Sequence, residues 1–213
     1  MIKTSLAGLA ACVAGLSGSA ALGAVNVSQG ASAPTYATTL TFDEVGGPTG
    51  ANVPSNAWTG VGITSMVSGS GANAVTNVSA QPGFGWLGTG NVFYGPFGVF
   101  INFGSDLTEF SAQFWDSSGP ASGFGGGAAV IAFNDGVEVG FLFVTNPAFG
   151  GAGNTWIDIT TDSGSVFDEV RLLGFGFFPE SYVDNLSWNA VPAPASALVA
   201  GLGLFAAARR RRA

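Results

Sequence analysis

Between residues 25 and 190 apolar and polar positions alternate in short runs. Thr38 to Phe42, Val99 to Phe103, Leu107 to Trp115, Trp156 to Ile159 and Tyr182 to Trp188 place apolar side chains on every second position, the period of a strand with one buried face. Ala129 to Phe133 and Val137 to Val144 flank Asn134-Asp135-Gly136, a hairpin turn signal. The chain has 34 glycines, and with scattered Pro, Ser and Asn they interrupt the runs too often for an amphipathic helix to develop. About ten or eleven short strands in one domain predict an all-β fold, a two-sheet β-sandwich of jelly-roll type.

The pattern changes at both ends. Met1-Ile2-Lys3 is a short positive segment, Leu6 to Leu16 is apolar, and Ser17 to Ala24 is rich in small residues, the layout of a secretory signal peptide over 1–24 with cleavage within 20–24. Leu9-Ala10-Ala11-Cys12 also has the outline of a lipobox, but the apolar stretch before Cys12 is short and Val13 to Leu16 continues beyond it. At the other end Val191-Pro192-Ala193-Pro194 holds the backbone open, because proline cannot enter a helix interior and pushes its predecessor toward extended geometry. A small-and-apolar run follows to Ala208, then Arg209, Arg210, Arg211 and Arg212. The run approaches the roughly 17–25 residues of a membrane-spanning helix, and the arginines place its end in the cytoplasm, with the body outside.

This ordered tail over 191–213 resembles the sorting signal of PEP-CTERM proteins, the substrates of exosortases in Gram-negative bacteria. Ala193 stands where the family name places glutamate. The resemblance implies export through signal peptidase, transient anchoring in the inner membrane, recognition of Val191, Pro192, Ala193 and Pro194 by an exosortase-type membrane protease, and delivery to the cell surface or extracellular matrix.

Composition then narrows the chemistry. The six basic residues are Lys3, Arg171 and the four terminal arginines, and there is no histidine. Thirteen acids against Arg171 alone leave the body 25–190 with a formal charge of −12, against −7 for the whole chain. Such a body repels nucleic acid and anionic lipid. Without histidine, and with the single cysteine (Cys12) inside the signal peptide, it lacks the parts of a Ser-His-Asp or Cys-His site and the usual zinc ligands. The absence of lysine from the body removes Schiff-base and P-loop chemistry, so Ser122 to Gly127 is a glycine-rich loop. A glycosidase-like carboxylate pair is the enzymatic route left, and no spacing nominates one. The expectation is a non-enzyme.

Two strand ends carry acids, Asp43-Glu44 after the first run and Asp184 in the last. With Phe167 to Leu172, this arrangement resembles extracellular jelly rolls of the carbohydrate-binding-module kind. That resemblance implies adjacent N- and C-terminal strands and a structural calcium held by Asp43, Glu44 and Asp184; edge acids that discourage sheet aggregation are the other reading. Trp115, Trp156 and Trp188 lie in alternating runs and are expected to fill the core or an interface, whereas Trp58 and Trp86 sit in Gly/Asn-rich loops and are the glycan-stacking candidates. Arg171 is expected to pair with a strand acid such as Asp158 or Glu169, or to contact an anion. Asn26, Asn77 and Asn185 begin Asn-x-Ser sequons of little weight in a bacterium. Two functions fit: an exported non-enzymatic envelope or matrix protein, or a secreted carbohydrate-binding module acting on exopolysaccharide.

Overall fold

The computed structural model describes residues 24–43, 51–77, 90–116, 127–144, 155–175 and 180–191. Residues 1–23 of the expected signal segment, the tail beyond Val191, Glu44 and Trp86 therefore lie outside the described residues. No helix among the described residues is long and apolar enough to cross a membrane.

Among the described residues twelve strands run in the order β1 (Val25–Gly30), β2 (Thr38–Leu40), β3 (Ala51–Asn52), β4 (Ile63–Ser68), β5 (Ala74–Asn77), β6 (Asn91–Pro96), β7 (Val99–Asp116), β8 (Gly127–Asn134), β9 (Val137–Val144), β10 (Trp156–Thr161), β11 (Phe167–Phe175) and β12 (Glu180–Ala190). Every pairing is antiparallel. The fold is all-β, a sandwich of jelly-roll type, as the alternation predicts.

The two runs at Val99 and Leu107 are one strand of 18 residues rather than two. The first half of β7 pairs with β4 and β11, and β11 continues the sheet to β8 and β9. The second half pairs with β10, which leads to β1, and with β12. The far edge of β12 is divided between β6, which extends to β5 and β3, and β2. The strand turns its corner at Gly104, Ser105 and Asp106, all exposed, where the register against β11 jumps from Asn102 opposite Glu169 to Leu107 opposite Phe167. Val99, Ile101, Phe103 and, past the corner, Leu107 point inward. The buried positions change phase between Leu107 and Phe110, where the register against β12 also shifts, and Phe110, Ala112 and Phe114 point inward after it. Strands have a side-chain period of two, so an odd insertion is what lets both halves face one core.

The core lies between the two sheets. Met66, Ile101, Val130 and Leu172 from the first meet Phe110, Phe114, Ile159, Val183 and Trp188 from the second. The hairpin predicted at Asn134-Asp135-Gly136 forms with Asp135 at φ 50° and Gly136 at φ 77°, the left-handed pair that a two-residue turn of matching twist requires. At the end of the second sheet the buried Asp116 accepts a hydrogen bond from Ser181 Oγ, and Gly174 of β11 lies against its carboxylate. A methyl group at Gly174 would overlap that carboxylate. Gly174→Ala is expected to lower stability by about 1–3 kcal/mol, the usual range for overpacking. Urea unfolding checks this; an unchanged midpoint would mean that Asp116 swings aside freely.

Candidate functional site

The nominated residues scatter. Trp58 precedes a short 3-10 turn (Thr59–Val61), yet it is only 7% exposed and stands edge-on to Phe42 and Phe93, with ring centroids 5.4 and 5.7 Å away. The loop folds inward because three aromatic faces bury more area together than singly, so Trp58 is a core residue and presents no open face to a sugar. Trp115 and Trp188 are buried, as the alternation predicts, and Trp156 is half-buried.

The N-terminal strand β1 pairs with β10, whereas the strand before Asp43, β2, does lie beside β12, with Leu186 opposite Leu40 and Trp188 opposite Thr38. Their acids have separate local tasks. Asp43 Oδ1 accepts the Asn91 N–H at 2.7 Å, and Asn91 Nδ2 donates back to Phe42 O at 3.4 Å, tying the end of the first segment to the start of β6. Asp184 Oδ1 accepts the Asn185 N–H at 2.7 Å, and its Oδ2 accepts Asn185 Nδ2 at 3.1 Å. Asn185 sits at φ 50°, where Asp184 to Ser187 of β12 oppose only Gln113 to Ser111 of β7. The pair thus supports a bulge. Among the described residues no three acids gather as a metal group, and Glu44 lies outside them.

Composition does not single out the outward side of the second sheet, where the register brings polar and aromatic groups together. Tyr94, Tyr182 and Trp115 form one cross-strand row, with centroids 5.2 and 5.6 Å apart. Both tyrosine hydroxyls donate to Glu180, at 3.3 Å from Tyr94 and 3.1 Å from Tyr182. Burial, then the Glu180 charge, pushes both phenols above the ordinary tyrosine range, so they stay neutral donors. Farther along, the segment Pro34–Ala37 straps the sheet. Ser111 Oγ donates to Pro34 O at 2.7 Å, Tyr36 N–H to Ser187 Oγ at 3.0 Å and Ala37 N–H to Asn189 Oδ1 at 3.0 Å. Tyr36 Oη donates to Asp158 Oδ1 at 2.7 Å, and burial followed by Asp158 raises its pKa as well. With Trp115 and Tyr182 buried and the polar end strapped, this face is closed to a flat ligand. Only the periodicity of Tyr94, Gln113, Trp115 and Tyr182 hinted at it.

Arg171 takes the second of its two expected partners: Nε donates to Glu169 Oε1 at 2.5 Å, while Asp158 holds Tyr36.

No protein-family model matches the chain, and no curated protein matches it. Solved structures do. The K1 cleaved adhesin domain of Lys-gingipain from Porphyromonas gingivalis W83 is 14% identical at a TM-score of 0.42, the match covering 73% of this chain and 100% of that one. The module CsCBM6-3 from Clostridium stercorarium, solved with cellobiose, is 14% identical at a TM-score of 0.32, covering 69% of this chain and 100% of that one. A glycoside hydrolase family 43 arabinoxylan arabinofuranohydrolase from Bacillus subtilis is 16% identical at 0.34, covering 61% of this chain and 26% of that one. At these scores the likeness assigns no function, and the fold stands on the ladders above.

Trp58→Ala is expected to cost about 3–5 kcal/mol of stability in a thermal or urea melt; a melt close to wild type would remove Trp58 from the core. Excess calcium and chelator are expected to give superimposed melting curves. A rise in the midpoint with calcium, abolished by Asp43→Asn, would instead assign a cation to Asp43.

Proposed function

We propose that this chain is an exported, non-enzymatic protein of the cell envelope or extracellular matrix, its tail processed by an exosortase-type protease after signal peptidase has removed the leader. One observation supports the reading: the described body begins and ends where the two expected sorting segments meet it. β1 begins at Val25, one residue after Asp162 N–H donates to Ala24 O at 3.0 Å. β12 ends at Ala190, and the next residue closes the fold, with Val191 N–H donating to Asp106 O at 2.8 Å at the corner of β7. Cleavage within 20–24 and within 191–196 would leave the ladders of β1 and β12 intact.

The residue inventory supports the non-enzymatic part. With no histidine, and neither lysine nor cysteine in the body, the polar network is built mainly of hydroxyls, amides and carboxylates, and Asp43, Asp116, Asp158 and Glu180 accept hydrogen bonds from neighbouring Tyr, Ser or backbone groups. In this reading Arg209 to Arg212 hold the tail at the inner membrane until it is cut.

A second reading, binding of exopolysaccharide, has its own support. The outer face of the first sheet leaves Phe141 and Phe143 42% and 70% exposed.

Intact-mass measurement of the exported protein tests the main reading. The expected mature chain starts within 21–25 and ends within 191–196. A variant carrying Pro192→Ala and Pro194→Ala is expected to keep its tail. A wild-type mass that still includes Arg209 to Arg212 would make the tail a plain anchor.

A further inference from the structure

The outer side of the first sheet is the reverse of the strapped face. Register aligns Val67, Phe100, Arg171, Ile131 and Phe141 in one cross-strand row over β4, β7, β11, β8 and β9. Beside it Glu169 pairs with Phe133, and Phe143 stands edge to face with Phe141 at 4.7 Å. From Phe100 to Phe141 the row crosses three strand intervals, ~14 Å at about 4.8 Å each.

Arg171, the only cation of the body, is clamped at the centre of this row. Nε is held by Glu169, and the guanidinium carbon lies 4.1 Å from the Phe133 ring centroid and 5.6 Å from that of Phe100. Its side chain is 37% exposed, and among the described residues Nη1 and Nη2 donate to no protein acceptor. The face thus presents N–H donors fixed in direction beside exposed aromatic rings. A sugar chain has the matching chemistry, apolar C–H faces edged by hydroxyl acceptors.

Charge decides which sugar. Glu169 matches the charge of Arg171, and Glu138 stands opposite Phe133 on β9, so the face has no excess of positive charge within a body of thirteen acids and one arginine. That field repels polyanions, and it equally opposes a second copy of the chain. We infer that the outer face of the first sheet binds a neutral polysaccharide laid across β11, β8 and β9. Phe141 and Phe143 lie against its sugar faces, and the Arg171 Nη groups donate to its hydroxyls. This rests on the exopolysaccharide reading and moves its site away from Trp58 and Trp86.

Affinity electrophoresis of the purified full chain, in native gels containing soluble β-glucan, mannan or alginate, tests it. Retardation is expected in a neutral gel and not in alginate. The double variant Phe141→Ser with Phe143→Ser, and separately Arg171→Gln, are each expected to bind about tenfold more weakly. The phenylalanine variant should melt as wild type does, since its rings are exposed, and it keeps the test valid if Arg171→Gln is destabilised. The inference is overturned by no retardation in either neutral gel, by retardation in alginate alone, or by binding that survives the phenylalanine variant or is lost only with Trp86→Ala. A concentration-dependent dimer that the same variant abolishes would assign the face to a second copy. The gels use purified protein, so none of these outcomes touches the processing of the tail.

Discussion

The corner in β7 is the constraint on which both sheets depend. Four strands take ladders from this one strand, two on each half, and the halves bury opposite phases of its alternation. Without the extra residue that β7 carries just past this corner, between Leu107 and Glu109, the inward set of the second half would be Ser111, Gln113 and Trp115 instead of Phe110, Ala112 and Phe114. The bulge at Asn185 does the same for β12, so that its buried set stays in step with β7. Two local departures from regular pairing thereby let one continuous antiparallel ladder enclose a core.

The second organising problem is an excess of acid. A body with one arginine cannot neutralise its carboxylates by ion pairing, and the described structure leans on neutral donors instead: Ser181 for Asp116, Tyr94 and Tyr182 for Glu180, Tyr36 for Asp158, and backbone N–H groups for Asp43 and Asp184. Hydrogen bonding to the ionised form is sufficient to keep a carboxylate in a partly buried place. The reciprocal effect falls on the phenols, which stay protonated and hold the strap and the aromatic row in place.

Legibility in the sequence followed the range of each interaction. The hairpin at Asp135-Gly136 was readable because its turn chemistry is local, and so was the Glu169–Arg171 pair, two positions apart on one strand. The single long β7 was not: Gly104-Ser105-Asp106 reads as a turn, and only the ladder from β11 has partners on both sides of it, at Asn102 and Leu107. Trp58 looked like a loop aromatic because its partners Phe42 and Phe93 lie far away in the chain. The open face at Phe141 and Phe143 was hidden for the opposite reason. Their alternating run names two sides without saying which one a second sheet will cover.

What the sequence determined by itself was the strand period, the hairpin and the acid surplus, all properties of composition and near neighbours. The tertiary structure alone decided which aromatic side chains meet in the core, which acids share donors, and which sheet face stays open. Those outcomes depend on cross-strand register, and register is set by pairings between residues remote in the chain, where a shift of one position exchanges the buried side for the exposed one.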